Sequence, residues 1–379
     1  MVGVAGFEPA TPASRKQCST GLSHTPTKTA AYSLGLLPPQ EAELRNFVLV
    51  NLALKTQILA AGPAAVAAAS RILAGGGLVA FPTETVYGLG ADAVNPSAVA
   101  RLYQAKGRPA FNPLIAHVGD LAAAKKIARF DAAAEQLAST FWPGPLTLVL
   151  PKAESCAVAD LATAGLDTVA VRVPAHPVAR NILRAFGGPV VAPSANLSGH
   201  VSPTTAAHVE HDLAGLIDLI VDGGPVEVGV ESTIVGCFEQ PMLLRPGGVP
   251  REDIERVLGR ALAQPPREIE NDSTQPLAPG MLASHYAPRT RVRLDAENVA
   301  PGEALLAFGL HRLHGADDAI ATLNLSAKSD LAEAAANLFG YLRSLDAKGA
   351  KTIAVMPIPN EGLGEAINDR LRRAAVGRA

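Results

Sequence analysis

The stretch Leu78–His117, LVAFPTETVYGLGADAVNPSAVARLYQAKGRPAFNPLIAH, decides how this chain folds. It reads as a strand, a tight turn, a helix and a polar loop leading into another strand. Leu78–Phe81 is a short apolar run after Gly75–Gly77, and Pro82 has no amide to give a sheet ladder, so the strand is predicted to stop there. Thr83, Glu84 and Thr85 then leave the sheet edge. Across Pro96–Gln104 the apolar residues Val99, Leu102 and Tyr103 fall on one helical face, with Asn95 or Ser97 as the cap. The helix ends in Lys106-Gly107-Arg108-Pro109, followed by Asn112. Two readings fit this pair of cations. They offset the negative end of a helix dipole in solvent, or they neutralise a polyanion such as a triphosphate, the Arg as a planar fork and the Lys as a point charge.

A chain of 379 residues is too long for one average domain, and two domains with appendages is the expectation. Lys and Arg number 33 against 35 Asp and Glu, a net charge of −2, so no global basic excess argues for bulk nucleic-acid binding. Cys18, Cys156 and Cys237 lie far apart with neither a disulfide framework nor metal-ligand spacing, which fits a reducing cytosol. No apolar run is long enough to cross a bilayer.

The first 52 residues differ from the rest. Pro, Ser, Thr and Gly punctuate them without a sustained period, so disorder is expected. They carry neither the basic and apolar regions of a secretory signal nor enough arginines for a transit peptide. The expectation is an over-extended reading frame with the true start near Val48–Leu54.

Outside the opening stretch, Ile58–Leu73 reads as an Ala-rich helix, Leu121–Ala128 and Ala132–Thr140 as helices, and Leu146–Leu150 as a strand after the breaker Phe141-Trp142-Pro143-Gly144-Pro145. The strand Thr168–Val173 carries one arginine, Arg172. A charge inside such a run is costly unless paired, so Arg172 is expected to face a cleft and an anion, or else to sit on an edge facing water. Pro189–Ala192 runs into Pro193-Ser194-Ala195-Asn196-Leu197-Ser198-Gly199, small polar groups that suit either a turn or a ligand. Glu231-Ser232-Thr233 enters another apolar strand, and Arg245 ends a third before Pro246-Gly247.

In this order the motifs become specific. FPTETVYGLG, KGRPAFNPL, FWPGPLTLVL, VAVRVPAHP, APSANLSG, ESTIV and LLRPGG, spread over Thr56–Leu262, resemble the YrdC-type L-threonylcarbamoyladenylate synthases. PGMLASHYAP, Pro279–Pro288, and an α/β tail resemble the long form with an extra C-terminal domain. The resemblance implies an α/β fold, with a twisted mixed-sheet YrdC-like domain (53–264), a linker over the active site (265–290) and a smaller Rossmann-like domain (291–379). It also implies an ATP-dependent nucleotidyltransferase that joins L-threonine, bicarbonate or CO2 and ATP, with Mg2+, into L-threonylcarbamoyl-AMP and pyrophosphate. That product feeds the threonylcarbamoyl modification of adenosine 37 in tRNA, through a transient downstream transferase.

Carried over by position, Lys106, Arg108, Ser194 and Asn196 match the catalytic polar signature. Arg108, Asn112, Thr168, Ser194, Ser202, Arg245 and Tyr286 match ATP contacts. Thr85, His117, Arg172, Ala192 and Ser232 match threonine contacts; Ala192 stands where relatives often carry a hydroxyl. Such a reaction needs no side-chain nucleophile, because the substrate brings its own. The protein must hold two anions together and stabilise charge moving onto pyrophosphate.

The tail is legible by itself. Ala304–Phe308 and Thr352–Met356 read as strands. Between them Asp330 caps a helix, with Glu333 at the capping-box position and Leu331, Ala335, Leu338, Phe339, Leu342 and Leu345 on one face. A last helix, about Glu365 to Ala375, turns Ile367 and Leu371 inward and Arg370, Arg372 and Arg373 outward. Gly88-Leu89-Gly90-Ala91-Asp92-Ala93 matches a dinucleotide pattern but is misplaced for one, and reads as tight packing. No P-loop occurs, and His285 has no partner at zinc spacing. The rival reading is a module that docks double-stranded RNA or tRNA on Lys106, Arg108 and Arg172; scattered cations without interleaved aromatics count against it. A hydrogenase-maturation carbamoyl transferase would add C-x-x-C pairs, which this chain lacks.

Overall fold

The structure, a computed structural model, describes residues 55–264, 276, 278 and 286–377. These residues belong to one compact unit, Ala53–Ala379. The chain opens with β1 (Gln57–Ala60) and α1 (Pro63–Ala74), where one long helix from Ile58 was expected. Pro63 explains the break: it starts a helix well but cannot sit inside one. Next come β2 (Val79–Pro82) and β3 (Tyr87–Asp92), an antiparallel pair closed by the Thr83–Val86 turn.

β3 is a strand that the pattern concealed. Its glycines break a strand signature, yet they are there for close packing. A Cβ on Gly90 would meet Phe81 at 2.7 Å, and one on Gly88 would meet Ala192 at 3.2 Å. Tight packing was the correct reading of the false dinucleotide pattern. Pro82 closes β2 from within, paired with Tyr87, so the strand runs one residue further than predicted.

α2 (Pro96–Lys106) is capped by Asn95, whose Oδ1 accepts from the amides of Ser97 at 3.0 Å and Ala98 at 3.2 Å. It ends on Gly107 at φ 58°, a left-handed position that glycine takes freely. β4 (Ile115–His117), α3 (Leu121–Ile127), α4 (Ala132–Phe141), β5 (Leu146–Pro151), β6 (Thr168–Arg172), α5 (Pro177–Phe186), β7 (Val190–Val191), α6 (Ala206–Leu213), β8 (Leu219–Asp222), β9 (Thr233–Gly236), β10 (Met242–Arg245) and α7 (Arg251–Leu258) follow; α3, α4, β5 and β6 keep within a residue of the bounds read from the sequence, whereas α7 was not read from it. Among the described residues the strands join one mixed sheet in the order β1-β8-β2-β3-β7-β4-β6-β5-β9-β10.

The C-terminal part has β11 (Arg291–Arg293), β12 (Glu303–Ala307), β13 (Thr322–Asn324), α8 (Leu331–Asp346), β14 (Thr352–Val355) and α9 (Leu363–Ala375). Its four strands are parallel in the order β11-β14-β12-β13, the small α/β sheet expected of the tail. Asp330 caps α8 as predicted, accepting from Ala332 and Glu333 amides. The capping box does not close, because Glu333 accepts from the Ser326 hydroxyl, which in turn accepts from the Asp330 amide.

The two sheets share packing. Val86, Val201 and Val230 belong to the same buried cluster as Leu338, Phe339 and Ile367. A Cβ on Gly229 would fall 2.3 Å from the Ala335 carbonyl of α8, so only glycine permits this approach. Ion pairs span the junction: Arg343 with Asp212 at 2.7 Å, Arg251 with Glu365, and Arg370 with Glu231 at 2.9 Å. Arg370 corrects the sequence reading, for it faces inward and is wholly buried.

Candidate active site

The polar residues that interrupt the apolar strands converge at one end of the large sheet. The turn after β2 brings Thr85 and Val86, the end of β4 brings His117, and the end of β6 brings Arg172. The segment after β7 contributes Ala192, Pro193 and Ser194; Glu231 and Ser232 arrive just before β9 and Arg245 at the end of β10. Arg108, beyond α2, and Tyr286 complete the wall of this cavity. Three guanidinium groups against one carboxylate make it a place for anions.

Arg172 is tied on three sides. Its Nη2 lies 2.6 Å from Glu84 Oε1, its Nη1 donates to Thr85 Oγ1 at 3.0 Å and its Nε to the Gly144 carbonyl at 3.2 Å. Three of the five N–H groups are thus used, and two remain for a ligand. Glu84 is the functional neighbour that sequence reasoning missed. The signal was there, since a strand-bound arginine demanded an anion and the nearest carboxylate in the motif is Glu84. Burial would raise its carboxyl, but Arg172 outweighs burial and holds it below the ordinary range, helped by its own amide and that of Ala175.

His117 stays neutral. Burial and then the Arg172 charge push its imidazole down to about 3. Its Nδ1 lies 3.1 Å from the Ile115 carbonyl, which only accepts, so Nδ1 carries the proton and Nε2 is left an acceptor. Ser232 Oγ and Thr147 Oγ1 form a hydrogen bond at 2.8 Å in which either hydroxyl can donate. Arg245 braces the Ser232 carbonyl at 2.8 Å through Nη2.

On the other side, the Lys106 ammonium donates to the carbonyls of Ser194, at 2.5 Å, and Asn196. Burial, followed by the Arg108 charge, pushes it well below the usual lysine range. The solvated-helix-end reading of this pair is overturned, since both cations are buried. Ser194 Oγ donates to Asn196 Oδ1 at 2.6 Å, and Asn196 Nδ2 to the His200 carbonyl at 2.7 Å. Arg108 donates to the Asn112 and Pro113 carbonyls, and burial lowers it to about 10. Asn112 Oδ1 is buried without a partner, an open acceptor beside these cations.

Not every candidate reaches the cavity wall. Lys106, Asn112, Thr168, Asn196 and Ser202 are not among the residues that line it. Ser202 is fully buried and gives its hydroxyl to Glu231 at 2.5 Å, so it shapes the carboxylate before it touches any nucleotide. Thr168 opens β6 opposite Pro151. Tyr286 is buried at φ 61°, stacked on Phe339 with ring centres 5.5 Å apart. His285 lies outside the described residues. Among the described residues no cluster of three or more His, Cys, Asp or Glu is disposed to hold a metal. The two carboxylates nearest the cavity, Glu84 and Glu231, already face arginines.

Comparison with known proteins matches residues 71–247 to the Sua5/YciO/YrdC family, described as telomere recombination, and residues 249–376 to the threonylcarbamoyl-AMP synthase C-terminal domain. The threonylcarbamoyl-AMP synthase of Pyrococcus abyssi is 44% identical over 326 residues, covering 80% of this chain and 93% of that one. The chain belongs to the threonylcarbamoyl-AMP synthase family. The Bacillus subtilis member is 41% identical, over 83% of this chain and 93% of its own length. The crystal structure of P. abyssi Sua5 complexed with L-threonine is similar at a TM-score of 0.77 and 39% identity, covering 85% of this chain and 97% of that one. The YrdC-like domain and the α/β tail read from the sequence are therefore both present.

Proposed function

We propose that this member of the threonylcarbamoyl-AMP synthase family joins L-threonine, bicarbonate and ATP into L-threonylcarbamoyl-AMP, releasing pyrophosphate. The observation that carries the reading is the meeting of Arg108, Arg172 and Arg245 with the neutral His117, Thr85 and Ser232 on one buried wall. Charge and neutral acceptors are what an amino acid and a triphosphate need side by side. A relative crystallised with L-threonine supports an amino-acid end.

At that end, the two spare N–H groups of Arg172 take the threonine carboxylate, a contact worth roughly 1.5–3 kcal/mol. His117 Nε2 and the hydroxyls of Thr85 and Ser232 suit the amine and side-chain hydroxyl. Bicarbonate takes up a proton and loses water to give CO2. The neutral amine attacks the CO2 carbon, the N–C bond forms as one C=O π bond opens onto oxygen, and the nitrogen gives up a proton to water, leaving a carbamate whose oxygen attacks the α-phosphorus as the bond to pyrophosphate breaks. Arg108, Ser194, Arg245 and Tyr286 line the nucleotide side, while Asn112 and Thr168, matched to ATP contacts by resemblance, lie off this wall. Lys106, Asn196 and Ser202 hold that wall in shape. A divalent ion, Mg2+ in this reading, would come with the triphosphate and neutralise its charge; the nearby Glu84 and Glu231 carboxylates are committed to arginines.

The product then passes to a transferase that modifies adenosine in tRNA, and the working location is the cytosol. Among the described residues no helix is long and apolar enough to cross a membrane. The domain partition proposed is 53–264, 265–290 and 291–379, with residues 1–52 an extension. Mass spectrometry after incubation with ATP, threonine and 13C-bicarbonate should find label in a threonine–AMP adduct. Label-free AMP or ADP as the only nucleotide product would overturn the reading.

A further inference from the structure

Arg370 is the residue that this fold treats most unusually. It sits on α9, in the C-terminal part, on the face it shares with the buried Ala366, Ile367 and Ala374, and its charged side chain is wholly buried. Nε donates to Glu231 Oε2 at 2.9 Å. Nη1 donates to the Pro246 carbonyl at 2.7 Å and Asp369 Oδ2 at 2.8 Å. Its guanidinium carbon lies 5.4 Å from the centre of the Tyr286 ring.

Apart from its helix neighbour Asp369, each of these partners is part of the active-site wall or adjoins it. Glu231 and Tyr286 line the cavity, Glu231 leads directly into Ser232, and Pro246 follows Arg245. Glu231 Oε1 meanwhile holds Ser202. One guanidinium thus fixes the carboxylate, the backbone beyond Arg245 and the aromatic ring at once. Burying a guanidinium is costly, and anchoring a domain does not require it at this point, because Arg251–Glu365 and Arg343–Asp212 already span the junction away from the cavity.

We propose that Arg370 is a positioning residue for the synthase reaction, through which the C-terminal domain sets the geometry of Ser232, Arg245 and Tyr286. It touches no substrate. Its charge balances Glu231, which would otherwise stand in the cavity wall as an unpaired carboxylate repelling the triphosphate. The cavity therefore depends on a docked C-terminal domain for its shape and its sign. The inference rests on the synthase reading of that cavity.

The test compares full-length Arg370→Met with Arg251→Met, which removes a docking pair remote from the cavity. Wild-type protein without pyrophosphate release would defeat the synthase reading itself. With an active wild type, Arg370→Met should lose about tenfold or more in kcat/KM, mostly as a raised KM for ATP, while Arg251→Met stays within about twofold at equal or greater loss of Tm. Equal kinetics in the two variants would overturn the inference, as the effect would then be only structural. Glu231→Gln is read in parallel and should weaken the Arg370→Met defect in the double variant by removing the uncompensated charge. Additive losses in that cycle, or normal kinetics in Glu231→Gln if Arg370→Met does not fold, would also overturn it.

Discussion

Glu84 and Arg172 form a buried ion pair, Oε1 to Nη2 at 2.6 Å, and the second oxygen of Glu84 takes the amides of Ala175 at 2.9 Å and His176 at 3.3 Å. The carboxylate therefore aims the arginine and pins the chain that follows it. Glu84→Gln should leave a buried guanidinium uncompensated, at about 3–5 kcal/mol of stability. The KM for threonine should rise at least about tenfold with a smaller change in kcat. Steady-state kinetics with threonine as the varied substrate check this, and an unchanged KM would detach Arg172 from the amino-acid end.

Lys106 joins α2 to the Ser194–Asn196 segment through two carbonyls. Lys106→Met should cut turnover by about a hundredfold and also lower Tm, since the abandoned carbonyls cost about 1–3 kcal/mol each. Pyrophosphate release together with a thermal melt tests both halves. Burial of Lys106 predicts loss of both turnover and stability.

Acid should weaken the fold through its histidines. Burial holds His117 at about 3 and His208 at about 4, whereas an unfolded histidine titrates near about 6.5. Below pH ~6.5 the unfolded chain therefore binds more protons, and stability falls as pH drops towards the folded values. Asp212, brought down to about 2 by His200 and Arg343 against the effect of burial, adds a loss only below the unfolded carboxylate pKa of about 4. The urea midpoint should decline between pH 6.5 and 4.5. In His208→Asn, which can still accept from Thr204, the slope should lessen by about one proton. An unaltered slope would contradict the assignment.

Tyr286 is packed between Phe339 and the Arg370 guanidinium while lining the same wall as Arg108 and Arg245. Tyr286→Ala should raise the KM for ATP about tenfold, from the loss of stacking and cation–π contact, and change the KM for threonine little. Kinetics with each substrate varied in turn separate the two.

Much of this was legible in the sequence. Asn95 and Asp330 were readable as caps because capping uses local chemistry. The isolated arginines at Arg172 and Arg245 announced a cleft, because a charge among apolar strand residues needs a partner. β3 was hidden because its glycines serve contacts with Phe81 on β2 and Ala192 just beyond β7. Arg370 was misplaced because its charge was read as a surface signal: spacing puts it on one face with Ile367 and Ala374, but the carboxylate that makes its burial tolerable, Glu231, is 139 residues away in the chain. The open Glu333 box shows tertiary context too, with Ser326 outcompeting the local backbone.

The most direct measurement is pyrophosphate release in four mixtures: complete, and lacking in turn ATP, threonine or bicarbonate. Release only in the complete mixture, abolished by Arg108→Met and recovered at high threonine in Arg172→Met, is what this arrangement of residues predicts. Release that persists without threonine or bicarbonate, or that is indifferent to Arg108 and Arg172, would contradict it.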